Sequence, residues 1–132
     1  MSIEDLKKKF IVDDDVLKNR LEEMGAKALQ LCMLDKKGNV HFNNSKLSPN
    51  EKLRLTLAAR AIASQLDETI SGEVSVAELA TNSGMAENQV RARASDLVKE
   101  KSATSPKRGF YAAVPHKVEA LLDSVTKSSK KS

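Results

Sequence analysis

A chain of 132 residues with 40% hydrophobic, 30% charged and 3% aromatic residues, and no tryptophan, has room for one domain, or one small domain with an appendage, around a modest aliphatic core. Such a core suits helices; it excludes an aromatic-rich β-sandwich and a single-strand binder built on stacking platforms. The net charge of +4 and isoelectric point near 9.2 permit a nucleic-acid partner without requiring one.

The charge is unevenly spread: residues 48–80 hold 3 basic and 5 acidic side chains, whereas residues 81–132 hold 10 and 5. Cys32 is the single cysteine, so no intramolecular disulfide is expected, and it reads as a small buried hydrophobe. His41 and His116 stand apart, with no metal-ligand spacing around them or around Cys32. The start, MSIEDLKKKF, has no long apolar run after its charges, which predicts neither a targeting segment nor a membrane span and places the chain in the cytoplasm.

Along the chain, Ile3, Leu6, Phe10 and Ile11 recur at helical spacing, interleaved with Lys7, Lys8 and Lys9. Asp13, Asp14 and Asp15 offer cap and first-turn carboxylates to a helix with Val16, Leu17, Leu21 and Met24 on one face, for which Gly25 is a plausible stop. Leu29, Leu31 and Met33 then alternate before the turn signal Asp35-Lys36-Lys37-Gly38, and Val40 and Phe42 resume the alternation. Two readings stand: a small β-hairpin, or a helix continued through Leu34. Asn43, Asn44 and Ser45 make a polar break.

From Ser48 the signals sharpen. Ser48-Pro49-Asn50-Glu51 is a capping box with proline at the first helical position, and it opens a helix to about Asp67 whose Leu53, Leu55, Leu57, Ala58, Ala61, Ile62 and Ala63 make a broad apolar face. A loop covers Thr69 to Gly72, and Glu73-Val74-Ser75 can add a short strand. Ser75, with Glu78 three residues on, caps a helix from Val76 to about Asn82, closed by Gly84. A second helix from Ala86 or Glu87 to near Lys101 turns Val90, Ala94, Leu97 and Val98 inward. Ala103 to Val114 form a strand–turn–strand with Lys107 and Arg108 at its tip. Of the alternating Phe110 and Tyr111, Phe110 is expected to take the core side. Pro115 opens a final helix with Val118, Leu121, Leu122 and Val125.

On these pieces residues 48–125 resemble a winged helix-turn-helix domain of the archaeal and bacterial regulator type. LTLAARAIA matches its first helix, VAELATNSGM its second helix and turn, NQVRARASDLVKE its recognition helix, KRGFYAAV its wing and PHKVEALL its closing helix. The resemblance implies a mainly α fold with a small β-wing. An N-terminal helical and hairpin extension over residues 1–47 precedes it, and a disordered basic tail over 126–132 follows. It also implies a nucleic-acid-binding protein, with double-stranded DNA as ligand and transcriptional regulation as role.

The residues suited to hold DNA are Asn88, Arg91, Arg93, Ser95 and Lys99 on the recognition helix, and Lys107 and Arg108 on the wing. An α-helix fits the major groove, where arginine pairs with guanine or phosphate and asparagine with adenine or phosphate. Glu87 opposes phosphate, and Arg93 has Asp96 and Glu100 within ion-pair spacing. One such module contacts few base pairs, so the N-terminal segment is the candidate for homodimerisation or for a protein partner, although its Leu17, Leu21 and Met24 stripe reads as intramolecular core ahead of interface. The alternative is a winged-helix protein–protein interaction module without DNA binding. No cofactor, metal or catalytic constellation is expected: the chain lacks a glycine-rich phosphate loop and any Ser/His/Asp or Cys/His arrangement.

Overall fold

The computed structural model describes residues 2–5, 14–44 and 46–130, with the side chains of 14–18 and 127–130 left aside. The helix expected on Leu6, Phe10 and Ile11, the Asp13 cap, Ser45 and the final two residues lie outside the described residues, as do the side chains of Val16 and Leu17. Helix α1 (Asp14–Leu31) leads into strands β1 (Cys32–Leu34) and β2 (Val40–Phe42). Helix α2 (Pro49–Leu66), strand β3 (Val74–Ser75), helices α3 (Val76–Ser83) and α4 (Glu87–Lys99) and strands β4 (Ala103–Thr104) and β5 (Phe110–Ala113) follow. A 3-10 turn, Pro115–Lys117, then opens α5 (Val118–Lys130). The described part is mainly helical. β1 and β2 form an antiparallel pair, and β5 lies between β3 and β4 in a second small antiparallel sheet.

Helix α2 is the centre. Its capping box is complete: the Ser48 hydroxyl accepts from the Glu51 amide while the Glu51 carboxylate accepts from the Ser48 amide. Along its length Leu53, Leu55, Leu57, Ala58, Ala59 and Ile62 are buried, with Thr56 and Arg60 beside them. Helices α1, α3 and α5 and strand β5 pack around it. Burial on nearly every side is what a central helix requires, and it explains why alanine and leucine alternate so densely there.

The N-terminal segment joins this same core. Ala28, Leu31, Cys32, Val40 and Leu47, all before the boundary drawn at residues 47/48, share one buried cluster with Leu53, Leu79 and Leu122. Gly25 does not stop α1, which runs six residues further to Leu31. A side chain at Gly25 would meet nothing within 4 Å. Glycine within a helix costs only about 1 kcal/mol, less than the burial gained by Ala28 and Leu31. The two readings of residues 28–43 thus divide the segment, helix to Leu31 and hairpin from Cys32. Asn43 closes both, its amide donating to the Leu31 carbonyl at 2.9 Å and its side chain to the Leu29 carbonyl at 3.1 Å.

Two further expectations change. In β5, Tyr111 packs against the core while Phe110 lies beneath Lys107, whose Nζ is 4.2 Å from the ring centroid. Alternate residues share a face, so Tyr111 goes with buried Ala113 and Phe110 with the opposite side. Helix α5 continues through Lys130, so the tail expected to be disordered from residue 126 is helical to that point. Once a helix is nucleated, each added residue contributes a hydrogen bond at little extra cost.

Helix α4 ends in a Schellman arrangement: Ser102 donates to the Leu97 carbonyl at 2.9 Å and Lys101 to the Val98 carbonyl at 3.0 Å. This needs a left-handed residue at position 101, and Lys101 supplies it with φ 66°, the one non-glycine residue with positive φ among those described. Left-handed backbone costs a side-chain-bearing residue roughly 1 kcal/mol. Lys101→Gly is therefore expected to stabilise the protein by about 0.5–1 kcal/mol, read as a higher urea midpoint at unchanged slope.

Candidate nucleic-acid interface

The exposed face of α4 is set by what holds the helix from behind. Ser75 and Glu78 form the second complete capping box, fixing the start of α3. Its end is fixed by Gly84, left-handed at φ 78°, and by the buried Ser83 hydroxyl, which donates to the Leu79 carbonyl at 2.6 Å and accepts from the Met85 amide at 3.3 Å. Val90, Ala94 and Leu97 then bury the inner side of α4 against the core. Ala94, with no side chain beyond Cβ and no exposed surface, allows close approach.

At about 100° per residue, Asn88, Arg91, Ser95 and Lys99 fall within an arc of about 80° on the side away from those three buried residues. All four are exposed. Arg93 does not join them. It lies about 200° from Arg91 around the axis and pairs with Asp96 at 3.4 Å. Helix α4 has no side-chain cap at Ala86. Asn88 faces that end, its side-chain oxygen accepting from the Gln89 amide at 2.9 Å. Glu87 is exposed in the same first turn.

The turn between β4 and β5 is tied down rather than loose. The Ser105 hydroxyl approaches the carbonyls of Lys107 at 3.2 Å and Phe110 at 3.0 Å, Phe110 donates to the Lys107 carbonyl, and the Val76 amide donates to the Gly109 carbonyl at 3.0 Å. Gly109, at φ 80°, makes the reversal. The turn therefore sits against the start of α3. Its two cations differ: Lys107 is held by Glu73 at 3.7 Å and by the Phe110 ring, whereas Arg108 is exposed. Among the described residues the side chains of Arg91, Lys99 and Arg108 make no hydrogen bond or ion pair, so these three cations face solvent with no partner to displace.

Three residues matter that the sequence motifs did not single out. Lys101 adds an exposed cation directly after α4. Glu73 is the partner of Lys107. Arg60, only 4% exposed, donates through Nε to the Ser71 carbonyl at 2.8 Å, through Nη1 to the Gly38 carbonyl at 3.3 Å and through Nη2 to the Glu73 carbonyl at 3.2 Å, and it lies 3.5 Å from the Glu78 carboxylate. It thereby holds the β1–β2 turn, the strand before α3 and the cap of α3 together. A charged residue inside the apolar run Leu-Thr-Leu-Ala-Ala-Arg-Ala-Ile-Ala was the available signal. Gly38 admits it: a Cβ there would stand 3.0 Å from the guanidinium. The hairpin is also joined to α3 directly, the Val40 amide donating to the Asn82 side chain at 2.7 Å.

Burial pushes the Cys32 thiol up to about 11, so it is not a thiolate at neutral pH. Among the described residues no group of three His, Cys, Asp or Glu side chains is placed to hold a metal, and no helix is long and apolar enough to cross a membrane. Comparison of the chain with protein-family models, with curated proteins and with solved structures finds no match.

Proposed function

We propose that residues 48–125 are a winged helix-turn-helix that binds double-stranded DNA, with α4 as recognition helix and the β4–β5 turn as wing, in a small transcriptional regulator. One observation carries this reading: Asn88, Arg91, Ser95 and Lys99 line the solvent side of a helix braced from behind, and Arg108, without a partner among the described residues, stands on an ordered turn. Guanidinium groups free of protein partners bind phosphate or guanine without first breaking a contact. Lys107 contributes through the field more than through direct contact, being held by Glu73. Arg93, paired with Asp96, contributes least, and Glu87 works against binding.

Anisotropy titration of a mixed-sequence duplex at about 50 and about 200 mM salt tests this. With about four phosphate contacts, affinity is expected to fall by about 100-fold across that range. Absence of binding to any duplex at the lower salt would sink the proposal.

A second reading, a winged-helix protein-interaction module, is favoured by a different observation. Leu29, Met33 and Leu66 are 63%, 58% and 68% exposed and border one shallow cleft on the N-terminal segment and the end of α2. Grouped exposed aliphatic residues of this kind mark contact surfaces. A homodimer or a protein partner would use that side. Light scattering distinguishes a mass of 14.4 kDa from twice that value in the absence of DNA.

A further inference from the structure

We propose that a cleft between α1, α2, β5 and the start of α5 binds a small amphipathic anion: an apolar body carrying one carboxylate. The cleft encloses about 530 Å³, within the range of roughly 300–1,000 Å³ typical of small-molecule sites. Leu21 and Met24 from α1, Ile62 from α2 and Val118 from α5 form its apolar walls. It stays open because Ala61, Gly72, Ala112 and Ala113 stand where larger side chains would fill it. Four separate elements thus converge on one hollow, and a molecule held there would touch both the N-terminal helix and the strand that carries the Lys107/Arg108 turn.

The polar groups at the mouth select the ligand's charge. They are Arg20, Gln65, His116, Glu119 and Ser64, whose hydroxyl already donates to the Ala61 carbonyl at 2.8 Å. Glu119 is the acidic member; Lys27 pairs with it at 2.9 Å and with Asp123 at 3.4 Å. Arg20 reaches the Glu119 carboxylate only at 4.0 Å and keeps 64% of its side chain exposed, so its guanidinium is loosely held. The side chains of Gln65 and His116 make no hydrogen bond among the described residues. With Lys27 drawn to both carboxylates, Arg20 is the charge at the mouth most free to take a new partner, and it stands above an apolar floor. A carboxylate head on an alkyl or aryl body complements both; an amine head meets Arg20 with like charge.

Calorimetric titration of the full chain with decanoate, decanol and decylamine tests the site without reference to nucleic acid, so its failure is separable from failure of the DNA reading. Decanoate is expected to bind about tenfold more tightly than decanol, the worth of one charge-assisted hydrogen bond, with decylamine weakest. Arg20→Gln, a change at an exposed position, is expected to remove that tenfold preference while leaving decanol unaffected. Ala112→Leu, checked for retained folding by its thermal melt, is expected to weaken both ligands by filling the cleft, and Leu66→Gln to weaken neither. Decanoate that fails to bind below its micellar concentration overturns the proposal. Binding that is unchanged in both Arg20→Gln and Ala112→Leu overturns it equally, because the ligand would then sit elsewhere.

Discussion

Replacing Arg60 by leucine is expected to cost about 3 kcal/mol of stability, read as a lowered urea midpoint. The volume is roughly kept and the site is buried, so a purely aliphatic accounting forecasts little loss. The acceptors decide otherwise. The carbonyls of Gly38, Ser71 and Glu73 and the Glu78 carboxylate all face the guanidinium. A buried acceptor left without its donor costs about 1–3 kcal/mol, and partial rehydration keeps the sum below simple addition. Lysine keeps the charge but cannot reach three carbonyls in different directions, so Arg60→Lys is expected to fall between leucine and the parent. Glu78→Gln retains the capping box, which accepts glutamine at that position, and should lose distinctly less. An Arg60→Leu protein within about 0.5 kcal/mol of the parent would show that these contacts carry no net stability.

The Arg91→Ala/Arg108→Ala protein is expected to bind duplex DNA about 100-fold more weakly, each arginine contributing about 1–3 kcal/mol. The salt slope should drop by about 2. Neither arginine has a partner among the described residues and both are exposed, so the urea midpoint should stay within about 0.5 kcal/mol of the parent. That separates lost binding from lost folding. Arg93→Ala is the internal comparison: the same charge is removed from the same helix, but from a side already paired with Asp96, and a change of less than about threefold is expected. Equal losses from Arg91 and Arg93 would mean that net charge, rather than the α4 face, governs the interaction.

Much of the architecture was legible because its signals are local. Ser48 with Glu51 and Ser75 with Glu78 make capping boxes from residues three apart, and both formed where the pattern predicts. Gly84 closes α3 for a reason contained in its own backbone. The exposed positions of α4 follow from the 3.6-residue period and its apolar residues alone. What misled was local evidence overridden at longer range. Gly25 reads as a stop, but Ala28 and Leu31 reach the core and carry the helix through. Phe110 reads as core, yet the register with β4 puts Tyr111 on the inner face.

Sequence by itself therefore determined the order of helices and strands from Ser48 onward, the caps and turns that bound them, and which side of α4 meets solvent. Each depends on residues within about one turn of each other. Tertiary structure alone decided how the N-terminal segment joins the core around α2, and that Arg60 gathers carbonyls from 11 to 22 positions away in the chain. It also decided that Lys107 is held by Glu73 while Arg108 has no partner among the described residues. Those outcomes rest on which distant acceptors and apolar surfaces meet when the chain closes, and spacing along a sequence carries no record of that.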